Sequence, residues 1–360
     1  MSATRIALVM AGGTGGHIFP ALAVAQALQA RSWQVHWLGG RGTADKPSME
    51  SRLVPKHGLP MEAIDFGGLR GKGWATRVSM PIRLVRACWQ TRRVLGRLKP
   101  AVVLGFGGYV TVPGGLMSTM YGTPLLLHEQ NAVAGLSNRL LARLARGVYC
   151  AFPRALPQGR WVGNPVRAAF EQLAPPEQRL SGRSGPLKLL VLGGSLGAAA
   201  LNACVPDALA RIPKPHRPQV RHQCGAGALA TLQARYAERG VDAECAEFID
   251  DVAQAMADAD LVLCRAGAST VTEIATVGAA AIFVPFPHAV DDHQTRNARF
   301  LVDEGGALLV AQDQLSPEKL ADLLQKTERP ALAQLACRAY SCRKPGAVAA
   351  LVAACEEVVA

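Results

Sequence analysis

His17 stands directly behind the run Gly12-Gly13-Thr14-Gly15-Gly16, where a strand-to-helix turn would end and a helix begin. A helix N-terminus disfavours imidazolium, and a general base has to be neutral to take a proton. A histidine that merely caps or packs the turn fits the position as well. His128-Glu129-Gln130-Asn131 closes an apolar run. Polar residues at the carboxyl end of a parallel strand face a ligand crevice; the alternative is a hydrogen-bonded loop anchor. Gly267-Ala268-Ser269-Thr270-Val271-Thr272-Glu273 makes a tight turn into a helix with Glu273 on its first turns. A carboxylate there can accept both hydroxyls of a ribose or simply complement the helix dipole. Gln294 and Asn297, three apart, share a helix face suited to reading sugar hydroxyls. Arg167, in Gly163-Asn164-Pro165-Val166-Arg167, could meet a diphosphate, although alone it reads as a surface charge.

Three glycine-rich turns, Gly12–Gly16, Gly105–Gly108 and Gly193–Gly197, each follow an apolar run and precede a helix-like segment. Glycine lets backbone approach a ligand, and the helix behind it offers free N–H groups, which together suit phosphate. The standard fingerprints nevertheless fail. Ile18 occupies the place of the third glycine of a dinucleotide motif, and Leu38-Gly39-Gly40-Arg41 brings no acid for a ribose. Gly71-Lys72 is followed by Gly73, and Phe66 stands where a Walker loop needs glycine. A nicotinamide dehydrogenase and a P-loop NTPase are thereby disfavoured. Asp291-Asp292-His293 has metal-ligand composition without partner ligands, and the nine cysteines include no C-x-x-C pair. No metal, no cofactor and no disulfide framework is expected.

The elements that must position these residues alternate. Strand-length apolar runs occur at Arg5–Met10, Gln34–Leu38, Ala101–Gly105, Pro124–His128 and Gly147–Ala151, then at Leu187–Leu192, Val220–Cys224, Asp260–Cys264 and Ala280–Pro285. Helix-length segments separate them, which predicts an α/β protein with parallel sheets. Arg5–Gly16 and Lys188–Gly197 repeat one plan, so two Rossmann-like domains in tandem are expected, with Pro175–Pro186 as the linker region.

The chain of 360 residues carries 39 Lys+Arg and 27 Asp+Glu, a net charge of +12. Residues 1–164 hold 20 basic and 5 acidic side chains, whereas residues 165–360 hold 19 and 22. Such an asymmetry points the first half at a polyanion. No acid occurs between Phe66 and His128. A helix over Ile82–Leu98 puts Leu84, Cys88, Thr91, Leu95 and Leu98 on a core stripe. The opposite face carries Ile82, Val85 and Trp89, flanked by Arg86, Arg93 and Arg97. Apolar residues ringed by arginine suit a membrane surface, or a solvated face packed on a neighbouring loop. Nucleic acid is disfavoured, because aromatics make up only 5% of the chain and supply no stacking platform. No apolar run is long enough for a membrane-spanning helix or a signal-peptide core.

Taken in order, Gly12–His17, Gly105–Tyr109, His128–Asn131, Gly163–Arg167, Gly193–Gly197, Phe248–Asp251, Gly267–Glu273 and Gln294–Asn297 resemble the MurG-type glycosyltransferases of bacterial peptidoglycan synthesis over essentially the whole chain. The resemblance implies a GT-B fold, two Rossmann-like domains with parallel sheets facing across a cleft. It divides the chain into an acceptor- and membrane-binding domain (1–164), a UDP-GlcNAc-binding domain (165–344) and a C-terminal helix (345–360) returning to the first domain. It further implies transfer of N-acetylglucosamine from UDP-GlcNAc to the muramoyl C4 hydroxyl of lipid I, with inversion. Ile249 would lie beside the uracil, Glu273 on the ribose, and Ser195 and Arg167 on the diphosphate. Gln294, Asn131 and the Ala268 backbone would read the sugar, with Ser269, Thr270, Val271 and Thr272 lining the same turn. Thr14, Gly15 and Gly16 would form the loop shared by donor and acceptor. Leu196 stands where such enzymes often carry glutamine. His17 is the first candidate base and Glu129 the second.

The implied setting is peripheral, at the cytoplasmic face of the inner membrane, with an anionic lipid surface and cell-wall synthesis or division proteins as partners. A UDP-N-acetylglucosamine 2-epimerase, which needs no lipid acceptor and no basic apolar helix, and a non-enzymatic membrane-associated nucleotide-sugar binder, which would hold donor without consuming it, are the competing readings.

Overall fold

The computed structural model describes residues 5–43, 47–67, 79–194 and 197–359. The chain divides into two units: Met1–Val166 with Gly346–Ala360, and Arg167–Pro345.

Unit 1 is built on β1 (Ile6–Met10), β2 (Gln34–Gly40), β3 (Met61–Ile64), β4 (Val102–Gly105), β5 (Leu125–Glu129), β6 (Gly147–Cys150) and β7 (Arg160–Trp161). The sheet order is β3-β2-β1-β4-β5-β6-β7, parallel throughout. The central strands are apolar at nearly every position because helices cover both faces. Unit 2 repeats the plan with β8 (Lys188–Leu192), β9 (Gln219–Gln223), β10 (Ala243–Ala246), β11 (Leu261–Cys264), β12 (Ala281–Phe283) and β13 (Leu308–Leu309), in the order β10-β9-β8-β11-β12-β13.

Strand order reverses at β1/β4 in unit 1 and at β8/β11 in unit 2. Ligands of open parallel sheets bind at such switch points, outside the carboxyl ends of the strands. Met10 pairs with Gly105, so the first two glycine turns leave the sheet side by side. Leu192 pairs with Cys264, which brings the third glycine turn beside the Gly267–Glu273 turn.

The helix Ala347–Glu357 belongs to unit 1 and packs on the helix Gly15–Ala30. Leu351, Val352 and Cys355 are buried in the same cluster as Ile18, Ala21 and Leu28. Burial at roughly 1.5–3 kcal/mol per large apolar side chain outweighs the exposed Arg31–Glu356 ion pair at 2.9 Å, worth about 1 kcal/mol at most.

The Pro175–Pro186 segment is not a free linker. It contains a helix, Pro176–Leu180, anchored to unit 2 by two arginines. Arg179 donates to the carbonyls of Ala257, Val277 and Gly278, and Arg183 to those of Ala257, Asp258 and Ala259 and to the Asp260 carboxylate. Proline and glycine content signals irregular backbone, and here the segment is tied down by its own arginines, which donate to backbone carbonyls far along the chain.

Candidate active site

In the first turn, Gly13 takes a φ of +95° and Thr14 is extended, after which the helix Gly15–Ala30 begins. The Thr14 carbonyl accepts from the amides of His17 and Ile18. The Gly15 and Gly16 amides therefore sit in the first turn, where helix geometry provides no internal acceptor. The second turn presses against the first. Gly108 has φ +85°, and a Cβ there would lie 2.3 Å from the Gly12 carbonyl oxygen, so only glycine fits.

His17 is half-buried on the first helical turn, and its Nδ1 lies 2.9 Å from Gln130 Oε1. Gln130 contacts His128, whose Nε2 donates to the Gly163 carbonyl at 2.9 Å. Burial pushes the His128 imidazole down to about 4, so the ring is neutral.

Glu129 has a different role from the second base the sequence suggested. Its side chain is 1% exposed, and both oxygens are occupied. Oε1 accepts from the Asn131 amide at 2.9 Å and from Asn131 Nδ2, and Oε2 from the Gly135 amide at 3.0 Å and Asn138 Nδ2 at 2.9 Å. Four donors on a buried carboxylate make it the anchor of the Asn131–Asn138 loop rather than a group poised to take a proton.

In unit 2, Gly267 is the extended N-cap of the helix Ala268–Val277. Ala268, Ser269 and Thr270 thus carry first-turn amides, and among the described residues the buried Ser269 Oγ has no hydrogen-bond partner. Glu273 is half-buried on the second turn. Desolvation raises its carboxyl to about 7, against the opposing charge of Arg167. Arg167 is exposed, with its guanidinium 5.1 Å from the Phe170 ring centroid.

Two of the expected residues in this turn direct their side chains into the fold. Val271 is fully buried in the core, and the Thr272 hydroxyl donates to the helix carbonyls of Ala268 and Ser269. Ile249 is half-buried beside the exposed Phe248 in the loop after β10. Gln294 Oε1 accepts from the amides of Ala266 and Phe286, so any sugar contact falls to its Nε2 donors. Asn297 is fully buried and donates to the Ala266 carbonyl. Ser195 lies outside the described residues. Among the described residues, no group of three His, Cys, Asp or Glu is arranged to hold a metal ion.

The helix Met80–Leu98 buries Ala87, Thr91 and Leu95 and leaves Ile82, Val85 and Trp89 76%, 69% and 51% exposed. The arginine ring is less free than the acid-free stretch implied. Arg86 pairs with Asp65 at 3.0 Å and Arg97 with Glu62, both acids reaching from β3 or just after it. Arg93 stacks on Trp89, 3.4 Å from the ring centroid. The sequence reading missed Met120 and Tyr121, also exposed, at the end of the helix Thr111–Met120 packed beside this one. Arg92 donates to the Tyr121 hydroxyl at 3.0 Å.

Two parallel-sheet units with glycine turns at their switch points, His17, Gln130 and Asn131 beside those of the first and Glu273 and Gln294 beside those of the second, have the architecture of a glycosyltransferase of the GT-B class. Residues 7–150 match the glycosyltransferase family 28 N-terminal domain and residues 188–347 its C-terminal domain. The chain is 64% identical to the UDP-N-acetylglucosamine–N-acetylmuramyl-(pentapeptide) pyrophosphoryl-undecaprenol N-acetylglucosamine transferase of Albidiferax ferrireducens over 353 residues, covering 98% of this chain and 91% of that protein. It is 60% identical to the protein of the same name from Polaromonas naphthalenivorans, covering 99% of each. The crystal structure of Acinetobacter baumannii MurG superposes with a TM-score of 0.86 at 40% identity, covering 98% of this chain and 99% of that one. The calicheamicin glycosyltransferase CalG4, at 14% identity and TM-score 0.68 with 99% and 98% covered, shares the fold. The chain belongs to the MurG-type branch of glycosyltransferase family 28.

Proposed function

We propose that the chain transfers N-acetylglucosamine from UDP-GlcNAc to the C4 hydroxyl of the muramoyl residue of lipid I, forming lipid II. The reading is carried by the 64% identity to a transferase of that name across 98% of the chain. The chemistry is a direct displacement with inversion. The acceptor oxygen bonds to the anomeric carbon, the bond from that carbon to the phosphate oxygen breaks, and UDP leaves with the electron pair. His17 takes the acceptor proton on its ring.

Unit 2 holds the donor in this reading. Ile249 lies against the uracil, and Glu273 accepts the ribose hydroxyls. Arg167 and the first-turn amides of Ala268–Thr270 face the diphosphate, where the helix N-terminus stabilises the charge that develops on leaving UDP. The Ser269 hydroxyl, without a hydrogen-bond partner among the described residues, adds a donor there. Gln294 Nε2 and Asn131 meet sugar hydroxyls, and the Thr14–Gly16 amides serve the acceptor side. Ile82, Val85 and Trp89, with Arg93 and Arg86, form a surface for anionic lipid, so the enzyme works as a peripheral protein at the cytoplasmic face of the inner membrane. No described helix is long and apolar enough to cross a membrane.

The test is release of UDP from UDP-GlcNAc with and without a soluble lipid I analogue. Release that depends on the analogue is expected. Appearance of the manno epimer from donor alone would support an epimerase instead.

A further inference from the structure

The contacts of His17 continue inward through two side chains that are each 1% exposed, Gln130 and His128. The direction of every hydrogen bond in this chain is fixed by backbone carbonyls, which can only accept. His128 Nε2 lies 2.9 Å from the Gly163 carbonyl oxygen and must carry its proton toward it. With the buried ring neutral, His128 Nδ1 is left bare and accepts. Gln130 Nε2 lies 3.1 Å from that nitrogen and 3.2 Å from the His128 carbonyl oxygen. The carbonyl alone settles which end of the Gln130 amide points inward, and both amide hydrogens are used on that side. Oε1 therefore faces His17 Nδ1 at 2.9 Å, and the nitrogen must donate to it.

We infer that Gln130 is a positioning residue that holds neutral His17 as its Nδ1–H tautomer and so leaves the lone pair on Nε2 for the acceptor hydroxyl. The inference rests on the reading of His17 as the proton acceptor. A free imidazole in water favours the other tautomer, with the proton on Nε2, which would block the reaction. Which ring nitrogen carries the proton is set by the partner of the other. Gly107 completes the seat: it has φ +89°, and a Cβ there would approach His17 Cε1 to 3.1 Å.

Ring-nitrogen NMR of the intact isotope-labelled chain, with His17 assigned by comparison with His17→Gln, tests the inference without any turnover measurement. A pyrrole-like Nδ1 and a pyridine-like Nε2 are expected. Gln130→Leu should move both signals toward the average of a free imidazole. It should also lower kcat by about 10- to 100-fold, the usual worth of a histidine's orienting partner, with the KM for UDP-GlcNAc unchanged. A pyridine-like Nδ1 in the unsubstituted chain overturns the inference even if His17 is essential for turnover. Near-normal turnover of His17→Gln instead overturns the proton-acceptor reading, and with it any catalytic consequence of the tautomer.

Discussion

The Tyr109 hydroxyl donates to Glu50 at 2.6 Å, joining the second glycine turn to a carboxylate that no glycine motif contains. Glu50 is fully buried and also accepts from the amides of Gly13 and Gly40. It thereby ties the first glycine turn, the second and the end of β2 to one group. Glu50→Gln keeps the shape and replaces one acceptor oxygen by a donor that faces an N–H. Leaving a buried donor unmatched costs roughly 1–3 kcal/mol, so unit 1 should melt about 5 °C lower by scanning calorimetry. Tyr109→Phe should show a smaller loss. An unchanged melting temperature for Glu50→Gln would remove this carboxylate from the scaffold of the turns.

Glu129 and His17 should separate by what their loss damages. His17→Ala removes a group on the first helical turn and should lower kcat by about 10²–10⁴-fold, the range for a general base, with little change in melting temperature. Glu129→Gln should lower the melting temperature while kcat stays within about tenfold, since two of its four donors lose a carboxylate partner. A fully stable Glu129→Gln protein with kcat reduced as much as in His17→Ala would return Glu129 to the role of base.

Much of this arrangement was legible in the sequence, because buried parallel strands are continuous apolar runs and glycine turns follow them. The short edge strands β3, β7, β10 and β13 were not. Met61–Ile64 and Ala243–Ala246 lack a continuous apolar run, and Arg160–Trp161 and Leu308–Leu309 are two residues each. The inward direction of the Val271 and Thr272 side chains was legible too, since Ala268, Val271, Thr272 and Ala275 fall on one helical stripe and all are buried. Glu50 carried no such signal: Ser48-Met49-Glu50-Ser51-Arg52 reads as an ordinary surface turn of helix. The Glu129 anchor depends on where Asn138 and the Gly135 amide return in space, which spacing alone does not encode.

Donor binding should depend on pH through Glu273. Its carboxyl is raised to about 7 by desolvation, and accepting two ribose hydroxyls requires the ionised form. The apparent KM for UDP-GlcNAc should therefore rise as pH falls through about 7, approaching tenfold per unit below it. Glu273→Gln should bind the donor more weakly and show a flat profile. The stability effect runs the other way. A raised carboxyl means that the folded unit holds this proton more tightly than the unfolded chain does. The contribution is full below about 4.5 and disappears as pH rises through 7. Isothermal titration of UDP at a series of pH values checks the first statement, and a pH-independent affinity would detach Glu273 from the ribose.

Acid should destabilise both units through buried histidines. His222 sits between the Tyr236 hydroxyl at 2.8 Å and Asn202 Oδ1 at 3.1 Å, and burial lowers it to about 3, as it lowers His128 to about 4. A depressed histidine is neutral in the fold while the unfolded chain takes up a proton below about 6.5, so stability falls from that pH downward until the folded value is reached. Each ring contributes a slope of about 1.4 kcal/mol per pH unit. Urea unfolding between pH 7 and pH 5 should show the loss, and equal midpoints across that range would mean that these rings are not held neutral.

The exposed face of the Met80–Leu98 helix supports the sharpest separation between membrane and donor functions. Ile82, Val85 and Trp89 are far more exposed than side chains of their size usually are, and two of the nearby arginines are already paired with Glu62 and Asp65. Attraction to anionic lipid on this helix therefore falls chiefly to Arg93, stacked on Trp89, and to Arg92, whose described partner is the neutral Tyr121 hydroxyl. Burial of the three apolar side chains in an interface, at roughly 25 cal/mol per Å², should dominate over their charged neighbours. Changing Ile82, Val85 and Trp89 together to serine should weaken binding to anionic liposomes by at least about tenfold, while UDP affinity and turnover of a soluble acceptor analogue stay unchanged. Arg86→Ala should weaken it much less, because its charge is already shared with Asp65. If the triple variant bound liposomes like the parent, the lipid-facing surface would have to lie elsewhere on the basic unit, with Met120 and Tyr121 as the next residues to change.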